Sequence, residues 1–278
     1  MELTDVAVAL ISAVLHAGWN AAVKANRDPG RAMTAQMLLS AALSLPVLLW
    51  TGLPAAESWP WIAASTLMNV LTIAALLRAY EMAGFGVVYP VGRAVAVLLV
   101  VPAAAIIAGE RLGVLALGGI AVLVLALGVL AWDAARGKGV GPRALAWTLA
   151  AGLGTAAYIL CDAKGVRAAG SPWAYGALVS IANALAMLLR RREALAPLSL
   201  MRGQWPSATP MAVASVASYL LILWVWSHAP IAPAAALRDT SAIFAILIAV
   251  IWLKEPFTRT RIAAVLLAAA AVPLLRLG

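Results

Sequence analysis

The sequence has almost no cysteine, little histidine and very little charge. Its one cysteine, Cys161, lies inside an apolar run. An intrachain disulfide and a cysteine metal cluster are therefore excluded, and the cysteine carries no sign of redox compartment. There are two histidines, His16 and His228, and neither an H-E-x-x-H nor a P-loop pattern. The residues that metal-assisted or nucleotide chemistry needs are missing, so the sequence points away from an enzyme, a metal or any other cofactor. Charged residues make up 11% of the 278 against 64% hydrophobic, at a mean hydropathy of +0.97. A soluble domain of this length cannot bury that much apolar surface. Alternating polar and apolar strands are absent, which argues against a membrane barrel. Rings of like charge and a carbonyl filter are absent too, which argues against an ion channel. Met1 to Asp5 is acidic and lacks a basic n-region. The first apolar run is thus expected to remain as a helix rather than to be cleaved.

What is present is a series of apolar runs near 20 residues, the length that crosses a bilayer as a helix. Ten spans are predicted, at 4–24, 32–51, 60–81, 87–108, 113–132, 145–165, 172–190, 209–228, 231–253 and 260–277. The net charge of +9 comes from Lys and Arg in the short connections. Fourteen lie in the odd-numbered connections and four in the even connections and termini. Charge placed this way sets membrane orientation rather than binding nucleic acid. The odd connections are expected in the cytoplasm and both termini on the non-cytoplasmic side.

The second half repeats the first. From Gly84 to Trp132, an apolar span with one early arginine, Arg93, runs into the turn Gly109-Glu110-Arg111-Leu112 and a second apolar span. From Pro230 to Leu275 the same design returns with Arg238 and the turn Lys254-Glu255-Pro256-Phe257. Such a match reads as an internal duplication, with repeats at 1–137 and 138–278. Five spans is an odd number, so the halves must face opposite ways. Corresponding loops do swap their positive charge. The fold class expected is an all-α integral membrane protein of ten transmembrane helices, arranged as two inverted five-helix repeats.

These residues carry a resemblance. Trp19-Asn20 with Lys24 at the end of span 1, and the Gly109-Glu110 turn before a Gly- and Ala-rich helix, resemble the drug/metabolite transporter superfamily, and within it the EamA-type exporters. The second half departs from the pattern, with Lys254-Glu255-Pro256-Phe257 in place of Gly-Glu. The aromatic-rich candidate residues look most like the YddG-type amino-acid exporters. Family members also move sugars, nucleotide sugars, purines, drugs and lipid-linked sugars. The resemblance implies a multi-pass protein of the inner (plasma) membrane, monomeric or homodimeric. It implies a central cavity lined by spans 1, 3, 4, 6, 8 and 9, with spans 5 and 10 peripheral. The function expected is export of small amphipathic metabolites, amino acids including aromatic ones, by alternating access. The alternatives are another substrate class or a membrane-embedded transferase.

Polar groups inside spans mark candidate sites. Arg93 and Arg238 enter their spans from opposite faces and together suit a substrate carboxylate; the competing reading has each snorkel or pair with a carboxylate. Asp239 suits an ammonium, a proton or a basic side chain. His16, Trp19 and Asn20 form a polar and aromatic stripe on span 1, suited to a wet cavity or to a helix–helix hydrogen bond. Tyr80, Tyr89, Tyr158, Tyr219, Trp224 and Trp226 are the aromatics assigned to the cavity. Asp162, two positions before Lys164, is read as interfacial. Asn69 and Asn183 are read as packing contacts. Span 5 is almost purely Ala, Leu, Val and Gly, and span 10 is Ala-rich, so both suit close packing rather than a site.

Overall fold

The structure, a computed structural model, describes residues 1–136, 141–190, 201–252 and 258–278. Lys138, Arg191, Arg192, the turn Lys254-Glu255-Pro256-Phe257 and the side chain of Trp252 lie outside the described residues. The described chain is helical and contains no strand. Its helices are α1 (Leu3–Ala25), α2 (Pro29–Thr51), α3 (Trp59–Met82), α4 (Phe85–Ala108), α5 (Val114–Ala135), α6 (Pro142–Ala168) and α7 (Pro172–Arg190). They continue with α8 (Trp205–His228), α9 (Ile231–Asp239), α10 (Ser241–Trp252) and α11 (Arg259–Leu277). Among the described residues, ten stretches are long and apolar enough to cross a membrane, with α9 and α10 sharing the ninth.

The helix ends follow from local chemistry. Asp28 caps α2 by accepting from the Arg31 N–H at 2.8 Å, with Pro29 in the first turn. Thr258 caps α11 by accepting from the Arg261 N–H at 3.2 Å. Such caps satisfy backbone donors that the first turn leaves free. At the other end of α4, Gly109 adopts the left-handed conformation at φ 66°. The Glu110 N–H then reaches back to the Ala104 carbonyl at 3.4 Å. A residue with a Cβ is strained there, so the turn favours glycine.

The ninth span, expected as one helix over 231–253, is broken at Thr240. The Thr240 hydroxyl donates to the Leu237 carbonyl at 2.6 Å, and its N–H goes to the same carbonyl at 3.3 Å. A threonine hydroxyl that competes for a helix carbonyl in this way is a recognised source of such interruptions. The remaining nine spans match the sequence expectation to within a few residues at each end, the usual uncertainty of helix boundaries.

Contacts between connections sort the bundle into two faces. The Met1 ammonium donates to the Arg276 carbonyl at 3.1 Å, so the two termini meet. On the same face Ala55 N–H bonds Ala169 O at 3.1 Å, and Asp5 meets His228 at 2.9 Å. On the opposite face the Lys24 Nζ donates to Tyr80 O at 3.2 Å, and Arg31 donates to Arg202 O at 3.2 Å. Asp133 there lies 3.7 Å from Arg261. This second face carries the odd connections and most of the basic residues.

Helix pairing recurs between the halves. α3 packs along α6 as α8 packs along α1, and α4 lies on α6 as α9 and α10 lie on α1. α2 pairs with α7, and α5 with α11. Small residues permit these approaches, because helices in lipid gain by close packing rather than by expelling water. A Cβ on Gly152 of α6 would sit 2.7 Å from Val95 and 2.9 Å from the Gly92 carbonyl of α4. Ser12 of α1 and Ser218 of α8 exchange hydroxyl-to-carbonyl bonds at 2.7 and 2.8 Å. Large apolar side chains such as Leu49, Ile106 and Leu189 point outward. That pattern fits a solvent of lipid chains.

The Gly-Glu turn joins the halves. The Glu110 carboxylate accepts from the N–H groups of Ile231 and Ala232, at 2.5 and 3.1 Å, at the start of α9. An anion suits this helix end because its N–H groups are unpaired and the helix dipole is positive there. Arg167 of α6 lies 3.9 Å from Glu110 and donates to the Trp226 and Ala229 carbonyls at 2.9 and 2.7 Å. Glu110→Ala is expected to destabilise the bundle by about 1–3 kcal/mol, since it strands two donors beside a cation. Arg111→Ala, at an exposed neighbour, is expected to be silent. Thermal unfolding of the two variants in detergent checks this; equal unfolding temperatures would contradict it.

Candidate functional site

One cavity of about 140 Å³ lies inside the bundle. It is lined by parts of α1, α2, α3, α4, α6, α7, α8 and α9. α2 enters through Met33, Gln36 and Met37, and α7 through Asn183, so two helices outside the expected set contribute. α5 and α11 contribute none, as expected. Most lining residues of α1, α2, α3, α4 and α7 sit in the halves of those helices nearer the basic face, while Asn69, Tyr219 and Arg238 lie just beyond the middle of their spans. The cavity therefore runs from the bundle centre toward the basic face.

His16 is its organising residue. α1 carries His16 inward at 4% exposure, with Asn20 one turn on and Trp19 edge-on to the imidazole at 5.1 Å between ring centres. The Asn20 amide donates to the His16 carbonyl at 2.8 Å, a bond within the helix rather than between helices. Arg93 of α4 places Nη2 on His16 Nε2. Arg238 of α9 places its Nη2 3.5 Å from His16 Nδ1. The two arginines thus converge from opposite faces on the two nitrogens of one ring. A neutral imidazole has one acceptor and one donor. If Nε2 accepts from Arg93, Nδ1 carries the hydrogen and Arg238 gains no acceptor from it.

The two arginines differ in their other partners. Arg93 Nη1 donates to Asp239 Oδ1 at 3.0 Å, and its guanidinium lies 5.1 Å from the centre of the Tyr89 ring. Tyr89 in turn meets Ser241 of α10 at 3.1 Å through their hydroxyls. Arg238 lies 5.6 Å from the Trp226 ring. Its Nε and Nη1 are buried and have no hydrogen-bond partner among the described residues. Trp19 Nε1 and Asn183 Oδ1, of two further lining residues, are likewise unpartnered among the described residues. Unpartnered buried polar groups are rare because each one is costly. Here they belong to three residues that line one cavity.

Most of the residues singled out from sequence come together. His16, Trp19, Asn20, Tyr89, Arg93, Tyr158, Tyr219 and Arg238 line the cavity. Asp239 does not; it sits behind, buried, as the counter-charge of Arg93. Tyr80 lines a different, polar cavity of about 540 Å³ at the basic face, with Lys24 5.2 Å above its ring. Tyr80 lies near the end of α3, one turn past the cavity-lining Leu76, which carries it toward the loops. Trp224 packs edge-on against His228 at 4.6 Å. Five residues of helix turn it about 140° from Tyr219. Trp226 returns to nearly the same face but is fully buried beside Arg238, and it too is outside the lining.

Two readings from sequence are corrected outright. Asp162 is not interfacial but 1% exposed. It accepts hydrogen bonds from Ser65 at 2.5 Å, Tyr175 at 3.1 Å and Tyr219 at 2.9 Å. α6 runs on to Ala168, which sets Asp162 deeper than an end at 165 allowed. Asn69 and Asn183 are cavity residues rather than packing contacts. Gln36 and Thr155 were missed; each is a polar residue inside a span, the signal that should have raised them.

Removing Asp239 leaves Arg93 buried without its counter-ion. Asp239→Ala is expected to destabilise by about 3–5 kcal/mol, the usual penalty for half a buried pair. Adding Arg93→Met should restore most of that loss. Unfolding in detergent, analysed as a double-mutant cycle, checks the coupling; additive losses would show that the pair is not energetically linked.

The comparisons with known proteins were consistent with this architecture. No curated protein matches the chain. A solved structure described only as "Crystal structure of protein" superposes over 100% of this chain and 98% of its own, with a TM-score of 0.77 at 15% identity. At that identity the likeness concerns the fold alone. The pattern of the EamA-like transporter family matches residues 142–277. The likeness to the EamA-like transporter family thus lies in the second half of the chain, and the ten helices long and apolar enough to cross a membrane fit a multi-pass membrane protein.

Proposed function

We propose that the protein is a secondary transporter that exports small carboxylate-bearing metabolites, amino acids foremost, from the cytoplasm across the inner membrane. The observation that carries the reading is Arg238, a buried cation on the cavity wall with two unpartnered donors. Arginine remains charged in proteins and matches carboxylate geometry. Arg93 is already committed to Asp239 and His16, so Arg238 is the member of the pair left to take an anion.

The cavity volume narrows the substrate. About 140 Å³, at roughly 10–15 Å³ per water-sized group, accommodates a solute near ten heavy atoms. Leucine is of that size. Aromatic lining from Trp19, Tyr89, Tyr158 and Tyr219 suits an apolar side chain.

Access fits a rocking of two halves, 1–137 and 138–278, about the central cavity. The terminal face is held shut by Glu110, Arg167 and the Asp5–His228 contact. The cavity lies toward the basic face, which the positive-inside rule places in the cytoplasm. This is the loading side for an exporter, with both termini outside.

Counterflow of labelled leucine in liposomes tests the reading. Saturable flux is expected, reduced at least tenfold by Arg238→Gln, as loss of a charge-assisted contact of ~1.4 kcal/mol or more implies. If folded protein moves no amino acid, the substrate assignment fails and sugars, nucleobases and cations come next. Flux unchanged in Arg238→Gln would remove Arg238 from the site.

A further inference from the structure

A second ionisable side chain beside the cavity, Asp162, has no salt-bridge partner among the described residues, and its charge is opposite in sign to that of Arg238. Asp162 is buried in α6, and among the described residues no Lys or Arg nitrogen lies within 4.0 Å of its carboxylate. Three hydroxyls hold it instead, from Ser65 on α3, Tyr175 on α7 and Tyr219 on α8. The three hydroxyls surround the carboxylate oxygens and satisfy them from three different helices. Tyr219 is the one of the three that also lines the cavity. Its hydroxyl gives its hydrogen to Asp162 Oδ2 and keeps its oxygen lone pairs free to accept. Asn183 Oδ1, buried and unpartnered, is a second acceptor on the same lining.

The lining thus combines unpartnered donors, Arg238 Nε and Nη1, with acceptors, the Tyr219 hydroxyl oxygen and Asn183 Oδ1, and a carboxylate is hydrogen-bonded behind Tyr219. The remaining charges, Arg93 and Asp239, cancel as a pair. A monocarboxylate would match Arg238 and leave Asp162 unanswered. An amine would do the reverse. Only a solute carrying both charges answers both groups at no net cost in charge.

Resting on the transport reading above, we infer that Tyr219 and Asn183, with Asp162 positioned behind Tyr219, form an ammonium subsite that makes the cavity selective for zwitterionic α-amino acids over the corresponding acids and amines. Asp162 is a positioning residue here. It polarises the Tyr219 hydroxyl and fixes its direction. The interaction is strong because the surroundings are apolar and water does not screen it.

The test is competition for labelled leucine counterflow in liposomes by three unlabelled solutes: leucine, 4-methylpentanoate, which lacks the amino group, and 3-methylbutylamine, which lacks the carboxylate. The wild type should prefer leucine over 4-methylpentanoate by roughly tenfold or more, as loss of one charge-assisted hydrogen bond implies. Asp162→Asn and Tyr219→Phe should lower that preference to within about threefold, while 4-methylpentanoate competes as well as before. Tyr219→Phe keeps the ring and Asp162 in place, so it reports even if Asp162→Asn does not fold. A selectivity ratio unchanged in Tyr219→Phe and Asn183→Ala would overturn the subsite. A wild type that binds 4-methylpentanoate as tightly as leucine would overturn it as well, yet leave the carboxylate reading intact. A folded wild type that shows no leucine counterflow at all would instead overturn the transport reading on which the subsite rests.

Discussion

The lipid surroundings demand that every polar group inside the bundle find a partner within the protein, and the centre of this molecule is arranged around that demand. His16 supplies the meeting point for two arginines that arrive from different helices and from opposite faces. One of them is neutralised by Asp239. The other is incompletely matched. Were both arginines paired, the cavity would be an inert polar core; were neither, the bundle would hold two bare cations in an apolar medium at prohibitive cost. The observed division leaves one cation available and one locked, a stable scaffold with a single unmet demand.

The packing serves that centre. Gly152 lets α6 approach α4 closely beside Arg93, and the serine exchange between α1 and α8 fixes the helix that carries His16. Thr240 interrupts the ninth span directly after Arg238 and Asp239. Two consecutive charged residues on a helix point about 100° apart. Here Asp239 turns to Arg93 while Arg238 turns to the cavity, so each meets a different neighbour.

Much of this was legible in the sequence, for identifiable reasons. The spans were plain because lipid imposes length and hydropathy together. Arg93, Arg238 and His16 were plain because ionisable residues are rare inside spans. Helical phase was less well used. It turns Trp224 away from Tyr219, but it also admits Trp226, which stands about two turns further along and packs beside Arg238 rather than on the cavity. The depth of Asp162 was misjudged because it depends on where α6 stops, and helix ends are the weakest inference from sequence. The contributions of α2 and α7 were not legible at all. Methionine, glutamine and asparagine at helical spacing look the same whether they meet another helix or a cavity.

The Gly109-Glu110 turn has a mechanical meaning beyond joining two helices. Its carboxylate grips the first residues of α9, and Arg238 stands seven residues further along the same short helix, about 10 Å away. A helix of nine residues is a stiff rod at this scale, and its far end stops at the Thr240 interruption. The grip and the guanidinium are thus the two ends of one lever. Separating the halves at the terminal face would pull on the rod and swing Arg238 away from His16. In the rocking proposed above, parting the halves at the terminal face and drawing Arg238 off His16 are a single movement.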